Sequence, residues 1–156
     1  MKKTLLCLSL LLAFSFSLLG QNIDLNGTWD INREKSQLAE QFSMAPAKIE
    51  IKVDGTNYSE TRHVVFQGEE YSFTDTFTLD GTECENEGWR GTIKKSVATW
   101  SEDRQVLTIV TKIPMGDAGV MTNTLDYKLV DGDLVIHSTA SSSYGEMSEN
   151  MVFTRE

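Results

Sequence analysis

The chain has 156 residues, 40% of them hydrophobic and 24% charged, and its 23 acidic and 14 basic side chains give a net charge of −9. This composition is typical of one globular domain, and it excludes a disordered tail, a collagen-like repeat and a disulfide-rich miniprotein. The negative charge argues against nucleic acid as a partner and against an anionic membrane face, because both repel an acidic surface.

The first twenty residues have the layout of a secretory signal peptide. Lys2 and Lys3 precede an apolar run of about 15 residues, 5–19, and polarity rises at Gly20. A helix needs ~20 apolar residues to span a bilayer, so the run is short for a membrane anchor. We predict a signal peptide over 1–20 and one mature domain over 21–156. The protein is then periplasmic or extracellular, without stable membrane insertion after cleavage. Cleavage after Ser17 and a retained anchor are the alternatives.

The sequence of the mature chain predicts a series of strands. Apolar residues alternate with polar ones, as in Ile49, Ile51 and Val53, and this period of two is typical of half-buried antiparallel strands. One segment, 33–45, is rich in helix formers and predicts a short helical segment that Pro46 ends. The predicted strands are 26–32, 47–54, 57–66, 70–80, 92–101, 104–113, 119–130, 133–140 and 146–155, with a possible tenth near 82–86.

Tight turns separate these strands. Asp-Gly pairs at 54–55, 80–81 and 131–132 are strong hairpin signals, and 101–103 fills a fourth gap. Sequential hairpins favour an up-and-down arrangement, and closing it removes exposed sheet edges. The predicted fold is therefore an all-β, single antiparallel barrel of eight to ten strands, with a two-sheet sandwich as the alternative.

A short motif on the first strand points to a family. Leu25-Asn26-Gly27-Thr28-Trp29 resembles the Gly-x-Trp signature of the lipocalin superfamily, and the chain ends in Val152-Phe153-Thr154-Arg155. Together with GTWDINREKS, KIEIKVDG, TFTLDG, ATWSEDRQVLTIVTK and MVFTR, the mature chain resembles a largely uncharacterised family of small exported lipocalin-like domains from bacteria. The resemblance implies a calycin-type barrel whose closed end holds Trp29, with Arg155 packed over it and Gly27 beside it. It implies no catalytic set.

Several polar residues share strand faces with apolar ones. Arg62 has the parity of Tyr58 and Val64, and Asp75 has the parity of its aromatic neighbours. If these faces are internal, Arg62 and Asp75 either pair with each other or contact a ligand's polar end, because a buried charge needs a partner. Asn123 is a further inward candidate. The aromatic residues predicted to line a ligand cavity, or else to fill a closed core, are Tyr71, Phe73, Phe77 and Tyr127.

These features favour a binding protein that holds a small, largely apolar ligand inside the barrel. The alternative is a packed barrel whose rim loops at 81–91, 114–119 and 141–145 contact an envelope protein or a glycan. An enzyme with Asp75 or Glu60 as general base ranks last, because the chain has no nucleophile elbow, Walker loop or His-Glu-x-x-His motif. The two histidines, His63 and His137, lack metal-ligand spacing, and no cofactor or metal is expected.

Overall fold

The computed structural model describes residues 22–40, 43 and 45–156. The predicted signal peptide lies outside these residues. The described chain forms ten strands: β1 (Gly27–Ile31), β2 (Lys48–Asp54), β3 (Asn57–Phe66), β4 (Glu69–Thr78), β5 (Glu83–Glu87), β6 (Ile93–Trp100), β7 (Leu107–Pro114), β8 (Val120–Val130), β9 (Asp133–Ser142) and β10 (Gly145–Arg155).

All ten strands belong to one antiparallel sheet in the order β4-β3-β2-β1-β10-β9-β8-β7-β6-β5. Only the contact between β1 and β10 departs from sequence order, and it brings the two ends of the domain together, with Trp29 opposite Arg155. The two edge strands, β4 and β5, face each other, so the sheet is a nearly closed up-and-down barrel. The predicted all-β barrel of eight to ten strands is confirmed, including the short strand near 82–86.

Side chains instead of a backbone ladder join the two edge strands. Asn86 on β5 is buried, and its Oδ1 accepts a hydrogen bond from the Thr76 backbone N–H at 2.8 Å. Its Nδ2 donates to the Thr76 carbonyl at 3.0 Å. Two residues further along each strand, the Thr78 N–H donates to Cys84 Sγ at 3.4 Å. The Asn86 side-chain amide therefore makes the two hydrogen bonds that the backbone of a paired strand would make. It satisfies the Thr76 N–H and C=O, which an open edge would leave unpaired.

The two ends of the barrel differ. Because neighbouring strands are antiparallel, the turns 55–56, 79–82, 101–106 and 131–132 share one end, here called the closed end. The connections 32–47, 67–68, 88–92, 115–119 and 143–144 share the other, here called the mouth. The closed end contains the predicted Asp-Gly turns, and Asp131 and Gly132 have φ values of 53° and 89°, as a type I′ turn requires.

Trp29 fills the closed end. Its side chain is fully buried, its Nε1 donates to the Leu25 carbonyl at 3.0 Å, and the Arg155 guanidinium carbon lies 4.5 Å from its ring centre. Gly27 has a φ of 131° and lies beside the Arg155 side chain, and an added Cβ would lie 3.6 Å from Nη1. The structure thus places all three residues named for barrel closure in contact at this end.

The expected helix after β1 does not form in the described part of 33–45. The chain makes one turn, in which the Ser36 N–H donates to the Asn32 carbonyl, and Gln37 then forms an isolated bridge with Asn150 on β10. Gln37 and Asn150 exchange two backbone hydrogen bonds on the part of β10 that extends beyond β1, whereas a short isolated helix is only marginally stable, so tertiary contact overrides local propensity. No helix among the described residues is long and apolar enough to cross a membrane.

Candidate functional site

A cavity of about 270 Å³ lies between the closed-end core and the mouth. Its walls come from β2, β3, β8, β9 and β10 and from the connection that precedes β2. Most of the lining is apolar, with Met121, Met147 and Met151 on one side and Ile49 on the other. The polar residues of the lining are Arg62, Asn123, Ser138 and Glu149.

A buried hydrogen-bond network forms beside this cavity around Glu60. The Glu60 side chain is fully buried on β3, and it accepts hydrogen bonds from Tyr58 Oη at 2.6 Å and from Tyr127 Oη at 3.1 Å. Arg62 Nε donates to the same carboxylate, and the two residues form an ion pair. Strand parity explains the arrangement, because residues 58, 60 and 62 point inward together. The network holds a carboxylate that burial alone would destabilise.

The ionisation of this network is fixed by its surroundings. Burial, followed by the negative charge of Glu60, raises the pKa of the Tyr58 and Tyr127 hydroxyls well above the ordinary value. Burial by itself would lower the pKa of the Arg62 guanidinium, but the neighbouring Glu60 carboxylate raises it. Both phenols are therefore neutral donors and Arg62 is a cation. One edge of the guanidinium is held by Glu60, and its Nη1 makes no hydrogen bond with a described residue.

Arg62 and Asp75 do not pair with each other. Asp75 forms its ion pair with Lys94 on β6, whose Nζ lies 2.7 Å and 2.8 Å from the two carboxylate oxygens. Both side chains are largely buried. Lys94 reaches Asp75 because no backbone ladder joins β4 to β5 and β6 lies close to β4. From the sequence, the expected partner of each charge was the other charge or a ligand. In the structure each pairs with a different residue of the protein, Arg62 with Glu60 and Asp75 with Lys94.

The remaining predicted ligand residues fall into two groups. Asn123 and Tyr127 lie on the cavity wall with Arg62, and Asn123 Oδ1 accepts a long hydrogen bond of 3.4 Å from Ser138. The others belong to β4, which does not contribute to the lining. Phe77 of β4 packs on Tyr58 with ring centres 5.8 Å apart and is part of the core. Of the two roles considered for it, this position matches filling a core.

Two aromatic residues lie further along β4. Tyr71 contacts Trp89 in the mouth with ring centres 6.2 Å apart, and its hydroxyl donates to Glu69. Phe73 is half-buried, opposite Arg62 in the strand register. Whether these side chains contact a ligand stays a prediction.

Sequence reasoning missed Glu149, which is 5% exposed and lines the cavity from β10. Its Oε1 accepts a hydrogen bond from the Ala39 N–H at 2.8 Å. Strand parity contained the signal, because Glu149 alternates in phase with the buried Met151 and Phe153.

The carboxylates considered for general-base catalysis are both engaged in ion pairs, Glu60 with Arg62 and Asp75 with Lys94. The two histidines lie on the outer face, where His63 contacts Glu50 at 2.8 Å and His137 contacts Asn150 at 2.8 Å. Among the described residues, no three potential ligands converge on a metal position. The described residues of the cavity wall thus offer apolar surface and a few polar groups to a bound molecule.

The mouth exposes apolar surface. Among the described residues nine large hydrophobic side chains are exposed, and all except Val130 lie on the mouth connections or within three residues of them. The predicted rim loops 114–119 and 141–145 contribute Met115 and Tyr144, the latter 80% exposed. The predicted rim loop 81–91 is wrong in part, because 83–87 form β5 and 81–82 lie at the closed end; only its last residues, with the exposed Trp89, lie at the mouth. Ser143 Oγ donates to the Ala118 carbonyl and joins two of these loops.

Solved structures share this fold. Zebrafish ileal bile acid-binding protein, crystallised with cholic acid, aligns with a TM-score of 0.59 at 19% identity over 84% of this chain and 98% of its own. Apo lipid binding protein 8 of Caenorhabditis elegans gives 0.58 at 13% over 84% and 94%, and the fatty-acid-binding protein of Manduca sexta gives 0.50 at 21% over 83% and 98%. Neither the models of known protein families nor the curated proteins give a match. At these identities the likeness concerns the fold.

Proposed function

We propose that this chain is an exported, non-enzymatic binding protein that holds a small, largely apolar ligand in the barrel cavity. The observation that carries the proposal is the cavity itself, about 270 Å³ in volume and mostly apolar in its lining. Ligand cavities usually measure roughly 300–1,000 Å³, so this one fits a compact molecule. Barrels of the same fold are bile acid-, lipid- and fatty-acid-binding proteins by name, which supports the same use here.

Binding would follow from burial of apolar area without bond chemistry. A ligand that leaves water for the methionine-rich wall gains about 25 cal/mol for each Å² of apolar surface removed. Methionine side chains adapt to irregular shapes, so Met121, Met147 and Met151 permit some variety of ligands. Arg62 and Asn123 lie on the wall and can orient a polar group, whereas Asp75 is taken up by Lys94.

The test uses an uncharged fluorescent probe, N-phenyl-1-naphthylamine, with the purified protein. We expect saturable binding to the wild type and a loss of at least about tenfold in affinity for Ala140→Phe, since that side chain would fill the cavity. Ser141→Phe is the matched control, because Ser141 is the exposed neighbour on the same strand. Wild-type protein that fails to bind the probe, or equal binding by the two variants, would contradict the proposal.

Export is part of the proposal and rests on residues 1–20 alone. The basic start, the apolar run of limited length and the small residues before Gln21 support it. The intact mass of the protein recovered from its native compartment checks this. We expect an N terminus at Gln21, or at Leu18 if cleavage follows Ser17. Recovery of the full-length chain from the cytoplasm would contradict export.

A second candidate function is contact between the mouth and an envelope protein or a glycan. The exposed side chains of Trp89, Met115 and Tyr144 at the same end of the barrel favour it, since exposed apolar surface is often an interaction surface. A photo-crosslinking residue placed at Tyr144 should form an adduct in the envelope fraction, and one placed at Val130 at the opposite end should not. Equal labelling from both positions would count against this role.

A further inference from the structure

The charges inside the barrel do not balance. Among the described residues between the closed end, where Arg155 covers Trp29, and the mouth, two inward cations, Arg62 and Lys94, face three inward carboxylates, those of Glu60, Asp75 and Glu149. Arg62 pairs with Glu60 and Lys94 pairs with Asp75, which leaves Glu149 without a cation among the described residues. A carboxylate withdrawn from water without a countercharge is destabilising, so this position favours a positive group supplied from elsewhere.

Glu149 is positioned to receive such a group. It is 5% exposed and lines the cavity, and its Oε1 is held by the Ala39 N–H at 2.8 Å. Its Oε2 makes no hydrogen bond or ion pair with a described residue. Ser138 is its cross-strand partner and also lines the cavity, so a hydroxyl acceptor lies beside the carboxylate. A carboxylate with a neighbouring hydroxyl suits a group that carries several N–H donors.

The other polar position of the cavity is poorly suited to an anion. The Arg62 guanidinium already forms an ion pair with the buried Glu60, and a ligand carboxylate beside Arg62 would also lie near the charge of Glu60. Like charges in a site of low polarity repel strongly. An anionic ligand would therefore gain little at Arg62, and it would meet a further carboxylate at Glu149.

We infer that the cavity selects an amphipathic amine, whose ammonium group binds Glu149 and whose apolar part lies against the methionine-lined wall. This inference rests on the proposed binding function and names its ligand class. With Glu149 on its apolar wall, the cavity distinguishes ligands by charge as well as by apolar area. The ligand would supply the third cation that the interior lacks.

The experiment compares three straight-chain probes of eight carbons with different terminal groups: n-octylamine, n-octanol and octanoate. Binding to the purified protein is measured by isothermal titration calorimetry at neutral pH. We expect octylamine to bind the wild type at least about tenfold more tightly than octanoate, because a charge-assisted hydrogen bond in a buried site is worth that ratio or more. Octanol should fall between them.

Glu149→Gln tests the residue itself. Glutamine keeps the size of the side chain and an oxygen that can accept from Ala39, so the fold should persist. We expect the affinity for octylamine to fall about tenfold, while that for octanol changes by less than about twofold. Glu146→Gln is the matched control, since Glu146 lies on the same strand but is exposed to solvent. It should leave all three affinities unchanged.

The outcomes separate this inference from the function beneath it. Octanol binding with no preference for octylamine over octanoate would leave the binding function standing and overturn the inference. So would an unchanged preference in Glu149→Gln that still binds octanol. Failure of all three probes to bind the wild type would overturn both.

Discussion

Trp29 and Trp89 lie near opposite ends of the same barrel, and their environments are opposite too. Trp29 is fully buried under Arg155 at the closed end, whereas Trp89 is 60% exposed at the mouth. The closed end satisfies its polar groups and hides its aromatic residue, so it serves stability. The mouth keeps apolar side chains in contact with water, which is unfavourable for the isolated protein. The two tryptophans thus separate a packed, fully buried end of the barrel from an end where apolar side chains remain exposed.

The largest expected effect is a loss of stability caused by a substitution at the closed end. Trp29→Ala should lower the free energy of unfolding by about 3–5 kcal/mol, because it leaves a cavity in the core. Trp89→Ala is the matched substitution and should change it by no more than about 0.5 kcal/mol. Urea unfolding of both variants measures the difference. Similar losses for the two tryptophans would show that the mouth is as important for stability as the closed end.

The network around Glu60 marks where the packed core meets the cavity. Glu60→Leu should lower the free energy of unfolding by about 3 kcal/mol, since it leaves the buried Tyr58 and Tyr127 hydroxyls and the Arg62 guanidinium without their acceptor. Glu85→Leu on the exposed face of β5 is the control and should have little effect. Urea unfolding again gives the comparison. Equal values for the two variants would mean that the network contributes nothing to stability.

Alkaline pH acts on the same network. The folded protein raises the pKa of Tyr58 and Tyr127 above the ordinary value of 10.0, so from about pH 10 upward the unfolded chain loses protons that the folded protein keeps. Stability is therefore retained below about pH 10 and falls above it, by about 1.4 kcal/mol per pH unit for each tyrosine. Unfolding measured between about pH 9 and about pH 11 shows the slope. Tyr58→Phe should reduce it, and an unchanged slope would place its origin elsewhere.

The smallest effect concerns the cation over Trp29. Arg155→Ala should cost about 1 kcal/mol, the usual value of a cation–π contact at a partly exposed site. Arg155→Lys should recover part of that loss, because a cation remains but the flat stacking of the guanidinium does not. Thermal unfolding of the two variants checks the order. A lysine variant no better than alanine would show that geometry matters more here than charge.

Strand positions could be predicted because each depends on a short alternating pattern and a turn next to it. Asp131-Gly132 encodes its hairpin locally, and the predicted turn is where the structure has one. The segment after β1 shows the limit. Its helix-forming residues were outcompeted by Gln37 pairing with Asn150, a contact with a strand far along the chain. Local propensity is weak beside such tertiary hydrogen bonds.

The candidate site was predictable in part for the same reason. Parity showed that Arg62, Asp75 and Asn123 point inward, because side chains alternate across every strand. It did not show that Lys94 would take Asp75, since that contact crosses the gap between the edge strands. Nor did it show that Glu149 would be buried without a cation beside it among the described residues, since the positions of all nearby charges decide that.

By itself, therefore, the sequence determined which residues form strands, where the chain turns and which side of each strand is buried. These properties arise from interactions between residues a few positions apart. Only the tertiary structure decided how the barrel closes at β4 and β5, which charges pair across it and where a cavity remains. Those outcomes depend on distances between strands that are remote in sequence, and curvature and packing of the whole sheet set such distances.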